Sequence, residues 1–375
     1  MKIKSVETFV LQHQLKKPFG VSVSVPLGTT RDSLIVKITT DSGIVGWGET
    51  AVITGARGTL VDALTPALIG KNPLDRRQLW ADLYGENFGN ALASAAVDIA
   101  LHDIAGKALN VPIHQLYGGK VRDKVLAYAS AMNYTEGLDP LKQFPEEASD
   151  LVRKGFKAMK MRIGRLEPKA DLKIVEAVRQ AIGPDIRLMC DANGAYSLAT
   201  AIQVGKELEK LGLYFFEEPL PLIAPHYPAY ERLTDGLDIR IAGGEALDSR
   251  HTGKNLIDRH AVDLIQPDVT LCGGIAECLF VAEMARLSWV QCVPHCWGGA
   301  IALAATLQVL SLIPEDTVAP GSTGPMLELD VYDNPFREKL ITHPFAQKDG
   351  FVTIPNGPGL GIEVDEDVIA RYAKK

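Results

Sequence analysis

The sequence predicts an α/β fold, a parallel βα barrel preceded by an α+β domain. From about Val125 onward, seven short β-rich segments alternate with amphipathic segments, the pattern that parallel βα units require. Three carboxylates, Asp191, Glu217 and Glu245, each close one of the apolar segments at intervals of about 26 to 28 residues, the usual length of one such unit. A doubly wound open sheet is the alternative, but no early glycine-rich phosphate turn supports it.

The part of the chain before the barrel predicts a separate α+β domain over residues 1–120. Strand-like segments come first, with a turn at residues 41–43, and three segments with helical spacing follow. Residues 121–342 are assigned to the barrel. Residues 343–375 return to loops and strands, are too short for a further domain, and are expected to pack back on the first one.

Length, charge and cysteine content limit the possible functions. A chain of 375 residues exceeds the usual size of a single core, which agrees with two domains. A net charge of −7 argues against nucleic acid or an anionic membrane as the main partner. No apolar run approaches the length of a membrane span, and the first residues lack the apolar core of a signal peptide. We therefore expect a cytoplasmic protein, with its five cysteines reduced.

The ends of the predicted barrel strands carry one ionisable group after another. Functional residues of parallel barrels lie at these C-terminal ends. Three acids brought to one rim repel each other unless a dication lies among them, and oxygen ligands suit Mg²⁺. The sequence therefore predicts a magnesium site among a larger group of strand-end residues: Lys160, Arg162, Asp191, Asn193, Glu217, Glu245, Asp268 and His295.

Strand alternation gives these side chains a direction. Lys160 and Arg162 are two residues apart, so both point into the barrel mouth, while Met159 and Met161 face the helices. Asp268 and His295 end neighbouring strands, close enough for the carboxylate to hydrogen-bond one imidazole nitrogen. Such a bond fixes the tautomer and raises the basicity of the other nitrogen, as a general base requires.

Several motifs in this order resemble those of the enolase superfamily, in its mandelate racemase/muconate lactonizing enzyme group, over essentially the full length. They are GFKAMKMRIG, MCDANGAYS, FFEEPL, AGGEAL, IQPDVTLCGG, VPHCWGG and MLELDVYDNPFR. The resemblance implies a modified (β/α)7β TIM-like barrel. It also implies an N-terminal α+β capping domain completed by the C-terminal tail, and assembly into a homo-oligomer.

The resemblance also implies roles for individual residues. The three spaced carboxylates would bind Mg²⁺, and Asp268 with His295 would act as a catalytic dyad. Lys160 and Glu328 would contact the substrate carboxylate, and Asn193 the substrate. Two capping loops, at residues 19–31 and 50–58, would add specificity, with Phe19 and Arg31 as candidates. The shared chemistry is removal of the proton next to a carboxylate, through an enediolate.

The departure from the family pattern is Arg162, where much of the subgroup has a second lysine that acts as an acid/base. A guanidinium keeps its proton at neutral pH, so two-base racemisation is disfavoured. One-base chemistry through His295 remains, and we expect dehydration of a sugar acid to a 2-keto acid. The alternatives are a lactone cycloisomerase or a racemase/epimerase, and then an inactive binding or structural homologue.

Overall fold

The computed structural model describes residues 1–22, 26–53, 55–86, 90–223, 226–315 and 324–374, apart from the side chains of 84–86. An antiparallel sheet with helices opens the chain, and a ring of parallel strands alternating with helices follows. None of the helices in these ranges has both the length and the apolar character needed to cross a membrane. All five cysteines are free thiols.

The N-terminal sheet has four strands in the order β3-β2-β1-β5. These are β1 (Ile3–Gly20), β2 (Gly28–Thr40), β3 (Val45–Thr50) and the short β5 (Tyr134–Thr135), which comes from beyond the first barrel strand. The following helices are α1 (Ala56–Thr59), α2 (Thr65–Leu68), α3 (Arg76–Glu86) and α4 (Ala91–Leu109). A π-helical turn (Leu60–Leu64) joins the first two, and a 3-10 helix (Ile113–Tyr117) follows the last.

Helix α4 crosses directly over strand β3, and two glycines make the close approach possible. A Cβ atom at Gly48 would lie 1.8 Å from the carbonyl oxygen of Ala96, and one at Gly46 would lie 2.2 Å from that of Ala100. Neither position has room for a side chain, because the obstructing atoms are helix backbone. The sequence Gly46-Trp47-Gly48 therefore determines how closely the helix packs on the sheet.

Eight parallel strands form the barrel, in the order β11-β10-β9-β8-β7-β6-β4-β12. Their bounds are β4 (Lys124–Ser130), β6 (Ala158–Arg162), β7 (Arg187–Asp191), β8 (Phe215–Glu217), β9 (Arg240–Gly243), β10 (Leu264–Ile265), β11 (Gln291–Cys292) and β12 (Leu327–Asp330). At the seam between β11 and β12, the Cys296 amide donates to the Glu328 carboxylate at 3.2 Å.

Within the described parts of the chain, seven helices connect these eight strands, so the arrangement is the expected (β/α)7β barrel. They are α5 (Pro140–Arg153), α6 (Pro168–Ile182), α7 (Leu198–Lys210), α8 (Tyr227–Gly236), α9 (Arg250–Asp258), α10 (Ile275–Leu287) and α11 (Ala300–Leu310). Polar caps start several of them: Asp139, Ser197 and Ser249 each accept a hydrogen bond from a first-turn amide.

Alternation along the barrel strands separates two cores. The barrel interior contains Tyr128, Met189 and Phe215, which pack together below the strand ends. Met159 and Met161 belong instead to the large core between strands and helices, as predicted from the spacing. Lys160 and Arg162 therefore point inward.

The C-terminal segment contacts both parts of the chain. After α12 (Pro335–Glu338) come the hairpin strands β13 (Gln347–Lys348) and β14 (Phe351–Thr353), and β14 pairs antiparallel with β4 of the barrel. Helix α13 (Glu366–Tyr372) follows, and the Lys374 amide donates to the Val10 carbonyl of β1 at 2.8 Å. The division at residues 120 and 342 remains a prediction.

Candidate active site

Three carboxylates meet at the C-terminal mouth of the barrel. Asp191 is the last residue of β7, Glu217 is the last of β8, and Glu245 follows β9 by two residues. One oxygen from each lies within 4.8 Å of the others. Asp191 and Glu217 are buried, and Glu245 is partly exposed. The sequence prediction that these three side chains come together is therefore correct.

Two inward-pointing cations of β6 lie against this group. The Lys160 Nζ atom is 2.6 Å from Glu217 Oε1 and 2.9 Å from Glu328 Oε1, and the Arg162 guanidinium pairs with Asp191 Oδ2. Burial disfavours both positive charges, yet the surrounding carboxylates outweigh it and raise the pKa of each side chain. Both groups therefore stay protonated, and neither serves as a base at neutral pH.

The negative charge of the carboxylates at the barrel mouth still exceeds the positive charge of Lys160 and Arg162. Burial raises the pKa of Glu217 to about 8; Lys160 lowers this pKa, while Asp191 and Glu328 raise it. The amide Nε2 of Gln266 donates to Glu217 Oε2 at 2.8 Å and fixes its orientation. A hard divalent cation fits this donor set, because it would remove the repulsion among buried oxygens.

The predicted dyad is present, and a third residue orients it. Nδ1 of His295 donates to Asp268 Oδ2 at 2.7 Å. The other oxygen of Asp268 accepts from the backbone amide and the hydroxyl of Thr270, both at 2.6 Å. The carboxylate is thus held from one side and bound to the imidazole on the other, which leaves His295 Nε2 as the proton-accepting atom.

Nε2 of His295 faces the carboxylate group. It lies 3.4 Å from Glu245 Oε2 and 3.7 Å from Glu328 Oε2. Burial works against an imidazolium here, but Glu328, Glu245 and Asp268 outweigh it and raise the pKa of His295 to about 10. Any cation that neutralises Glu245 lowers that pKa and makes the imidazole a more available base.

A cavity of about 430 Å³ lies between the barrel mouth and the N-terminal sheet. The barrel contributes Arg162, Asn193, Glu245, Asp268 and His295 to its wall. The opposite wall comes from the N-terminal strands, and it includes Phe19, Thr30, Arg31, Asp32, Ser33, Glu49 and Thr50. Residues 23–25 and 54, which belong to the two predicted capping loops, lie outside the described residues.

Four side chains stack in sequence from the N-terminal sheet to the barrel. The Arg31 guanidinium lies 4.9 Å from the Phe19 ring and 4.8 Å from the Trp297 ring, and the Arg162 guanidinium lies 5.2 Å from the same indole. Arg31 also pairs with buried Asp330 at 2.7 Å. Phe19 and Arg31 therefore line the cavity as predicted, and Arg31 is already neutralised.

Three predicted substrate contacts have other partners in this structure. The backbone amide of Asn193 donates to Asp191 Oδ1 at 2.8 Å and its side chain donates to Oδ2 at 3.3 Å. Lys160 and Glu328 are wholly buried and bound to each other behind the cavity wall. Burial raises the pKa of Glu328, but Lys160 and His295 outweigh it and keep this carboxylate ionised. An ionised carboxylate donates no hydrogen bond to a substrate carboxylate.

The loop that carries His295 is held by residues that sequence reasoning missed. Glu49 of β3 accepts from the Gly299 amide at 2.6 Å and the Ala302 amide at 2.9 Å, and so caps helix α11. Arg337 donates to the Gly298 carbonyl at 2.6 Å. Of the supporting residues, only Thr270 could be anticipated from the sequence. In an Asp-x-Thr segment, the aspartate side chain commonly accepts a hydrogen bond from the residue two positions further on.

Comparison with known families agrees with this geometry. Residues 5–118 match the model of the mandelate racemase / muconate lactonizing enzyme N-terminal domain, and residues 143–368 match the enolase C-terminal domain-like model. The first match covers the three long strands of the N-terminal sheet and helices α1 to α4, and the second begins within α5, after the first barrel strand, and ends within α13.

Similar proteins of known name include cycloisomerases and dehydratases. The chain is 37% identical to the D-galactarolactone cycloisomerase of Agrobacterium fabrum, over 99% of both chains. It is 35% identical to the D-galactonate dehydratase of Pectobacterium atrosepticum, over 91% of both. The crystal structure of the 3,6-anhydro-D-galactonate cycloisomerase of Zobellia galactanivorans superposes with a TM-score of 0.87 at 35% identity, over 100% of both chains. The chain therefore belongs to the mandelate racemase/muconate lactonizing enzyme group of the enolase superfamily, a family of enzymes.

Proposed function

We propose that the protein removes the proton next to the carboxylate of a sugar acid and then expels the oxygen on the neighbouring carbon. The observation that carries this proposal concerns the described residues that line the cavity, among which His295 is the only histidine and no lysine is present. His295, held by Asp268, lies beside Glu245, and Arg162, where much of the group has a second basic lysine, cannot accept a proton. One acid–base group is therefore available. Elimination needs one such group, whereas two-base racemisation needs two.

Asp191, Glu217 and Glu245 would hold one Mg²⁺ ion. Their oxygens lie within 4.8 Å of one another, and the raised pKa of Glu217 reflects their uncompensated repulsion. When bound, Mg²⁺ would supply positive charge to the substrate carboxylate as it becomes an enediolate. Lys160 and Arg162 would provide further fixed positive charge around that group.

Within the protein, the proton moves through one atom. Asp268 fixes the His295 tautomer that leaves Nε2 free, and Nε2 takes the α-proton from the substrate. The resulting imidazolium is stabilised by Asp268. It then returns this proton to the departing β-oxygen, so base and acid are the same residue and the elimination is syn.

Dehydration is the first candidate for the overall reaction. The β-oxygen leaves as water, the enol product rearranges to a 2-keto acid, and no oxidant or further reactant is needed. The D-galactonate dehydratase of similar sequence supports this assignment. Racemisation or epimerisation remains the less favoured alternative because of Arg162.

Cycloisomerisation is a second candidate that the comparisons favour specifically. Two cycloisomerases align with the chain along its entire length. The same α-proton removal would then expel an oxygen that belongs to a ring, so the ring opens and the product is an isomer of the substrate. The two candidates differ only in which β-oxygen leaves.

The test is a panel of D-galactonate, arabinonate, D-galactarolactone and 3,6-anhydro-D-galactonate, incubated with Mg²⁺ and, as a control, with EDTA. Mass spectrometry separates the candidates, because dehydration yields a product lighter by one water and ring opening yields an equal mass. Deuterium uptake from D₂O into recovered acid without elimination would instead indicate epimerisation. A protein that binds Mg²⁺ but leaves every acid unchanged would indicate the inactive homologue.

We also propose that small sugar acids are the partners of this site and that the chain assembles with copies of itself in the cytoplasm. Light scattering on the eluted protein tests the assembly. A single monomeric mass at micromolar concentration would contradict it.

A further inference from the structure

We infer, building on the proposed function, that the substrate carries a single carboxylate. The end of the substrate that points away from the metal ligands is uncharged, with hydroxyls, a ring ether or a lactone. The cavity therefore selects aldonic acids and their ring forms, and it rejects aldaric acids, which have a carboxylate at both ends.

The basic groups of the cavity are distributed unevenly. On the barrel side, Arg162 and His295 lie beside the metal ligands, where the reacting carboxylate must bind. On the side of the N-terminal sheet, Arg31 is the only basic residue that lines the cavity among the described residues. Among the described residues of this wall, Arg31 is therefore the one basic group that a second carboxylate could meet.

Arg31 is not available as a free positive charge. Its Nη2 atom pairs with Asp330 Oδ2 at 2.7 Å, and both side chains are buried. Its Nε atom donates to the Asp333 carbonyl at 3.3 Å, and the guanidinium also lies against the rings of Phe19 and Trp297. A neutralised guanidinium held in this way can donate a hydrogen bond to a hydroxyl, but it offers little net attraction to an anion.

The neighbouring groups on this wall add acceptors. Ser33 lies two residues from Arg31 on β2 and points the same way, and its hydroxyl donates to Glu49 at 2.8 Å. The Ser33 hydroxyl thus uses its proton within the protein and keeps oxygen lone pairs that can accept from a substrate. The hydroxyls of a polyol can donate hydrogen bonds to such a wall. An ionised carboxylate only accepts hydrogen bonds, so it finds no partner among these acceptors.

The experiment compares matched acids that differ only at the far carbon, D-galactonate with D-galactarate and D-gluconate with D-glucarate. Calorimetry with Mg²⁺ on the His295→Asn variant measures binding without turnover, and 2-keto acid formation by the unaltered enzyme measures reaction. We expect each monoacid that binds to do so at least about tenfold more tightly than its diacid. Equal or tighter binding of the diacids overturns the inference.

One variant and one control test the electrostatic cause. Asp330→Asn removes the charge that neutralises Arg31 and is expected to narrow the ratio of diacid to monoacid dissociation constants severalfold, whereas Asp235→Asn, an exposed control on α8, leaves this ratio unchanged. If Asp330→Asn leaves the ratio unchanged as well, the inference is wrong. If monoacids and diacids alike neither bind nor react, the proposed function fails, and this inference fails with it.

Discussion

The Glu49 carboxylate of strand β3 accepts a hydrogen bond of 2.6 Å from the backbone amide of Gly299, at the start of barrel helix α11. The bond joins the N-terminal sheet to the loop that follows His295. Buried amides at a helix start need an acceptor, and here the acceptor comes from another part of the chain. The loop that carries the His295 imidazole is therefore held by residues on both sides of the cavity.

Replacement of Glu49 by Gln tests this coupling. One amide oxygen can replace only one carboxylate oxygen, so the Ala302 amide would meet an NH₂ group and lose its acceptor. We expect a loss of about 1–3 kcal/mol in the free energy of unfolding, measured in urea, and a lower kcat. The control is Glu366→Gln, which breaks an exposed pair with Lys37. Equal stability and kcat in both variants would contradict the coupling.

Replacement of His295 by Asn is expected to lower kcat/KM by about a hundred- to ten-thousand-fold, because Asn cannot accept the α-proton. Mg²⁺ binding, followed by calorimetry, should persist. The exposed His343→Asn variant serves as the control and should retain full activity. If His295→Asn remains active while Arg162→Ala is inactive, the assignment of the base is wrong.

The affinity for Mg²⁺ is expected to rise with pH. The pKa of Glu217 is raised to about 8, so below that pH the carboxylate must release a proton before it binds a cation. Between pH 6 and pH 8 the dissociation constant should fall. Calorimetry in two buffers of different ionisation enthalpy should show proton release at the lower pH. Affinity independent of pH would indicate that Glu217 is already ionised.

Mg²⁺ is also expected to lower the pKa of His295. In the metal-free protein this pKa is raised to about 10, partly by Glu245 at 3.4 Å. Once a cation neutralises Glu245, the imidazolium loses that stabilisation and its proton dissociates at lower pH. NMR titration of the His295 ring with and without Mg²⁺ measures the change.

Replacement of Gly48 by Ala is expected to destabilise the N-terminal domain. The new methyl group would lie 1.8 Å from the Ala96 carbonyl, so α4 would have to move away from β3. Overpacking of this kind costs about 1–3 kcal/mol, which denaturant unfolding detects. Gly58→Ala is the control, since its added carbon meets nothing within 4 Å and it lies within helix α1.

The sequence predicted the barrel well because its signals are local. The short apolar segment RLMCD is strand β7, and the segment ALASAAVDIALHDIAGKAL, with apolar residues at helical spacing, is helix α4. The carboxylate trio and the dyad followed from where each strand ends. Spacing alone places such residues on one rim, since parallel strands deliver their C-terminal ends together.

The remaining part of the site depends on contacts between distant segments. Asp330 lies 299 residues from Arg31, and nothing in either local sequence shows that they pair. Arg31 therefore was predicted as a substrate contact, without the partner that neutralises it. Glu49 likewise resembles an ordinary acid near the end of β3, and its two amide partners, Gly299 and Ala302, lie 250 and 253 residues further along the sequence.

The barrel supplies His295 and the three carboxylates, whereas Arg31 and Ser33 lie on β2, a strand of the N-terminal sheet. Under the proposed function, the residues that remove the proton and the wall that contacts the rest of the substrate are therefore encoded in separate stretches of the sequence. Substitutions in the cavity wall formed by β2, whether in evolution or by design, can therefore change the substrate while the barrel residues and the reaction are retained. Duplicated copies of such a protein can diverge toward new acids by changes in β2 and its neighbours alone.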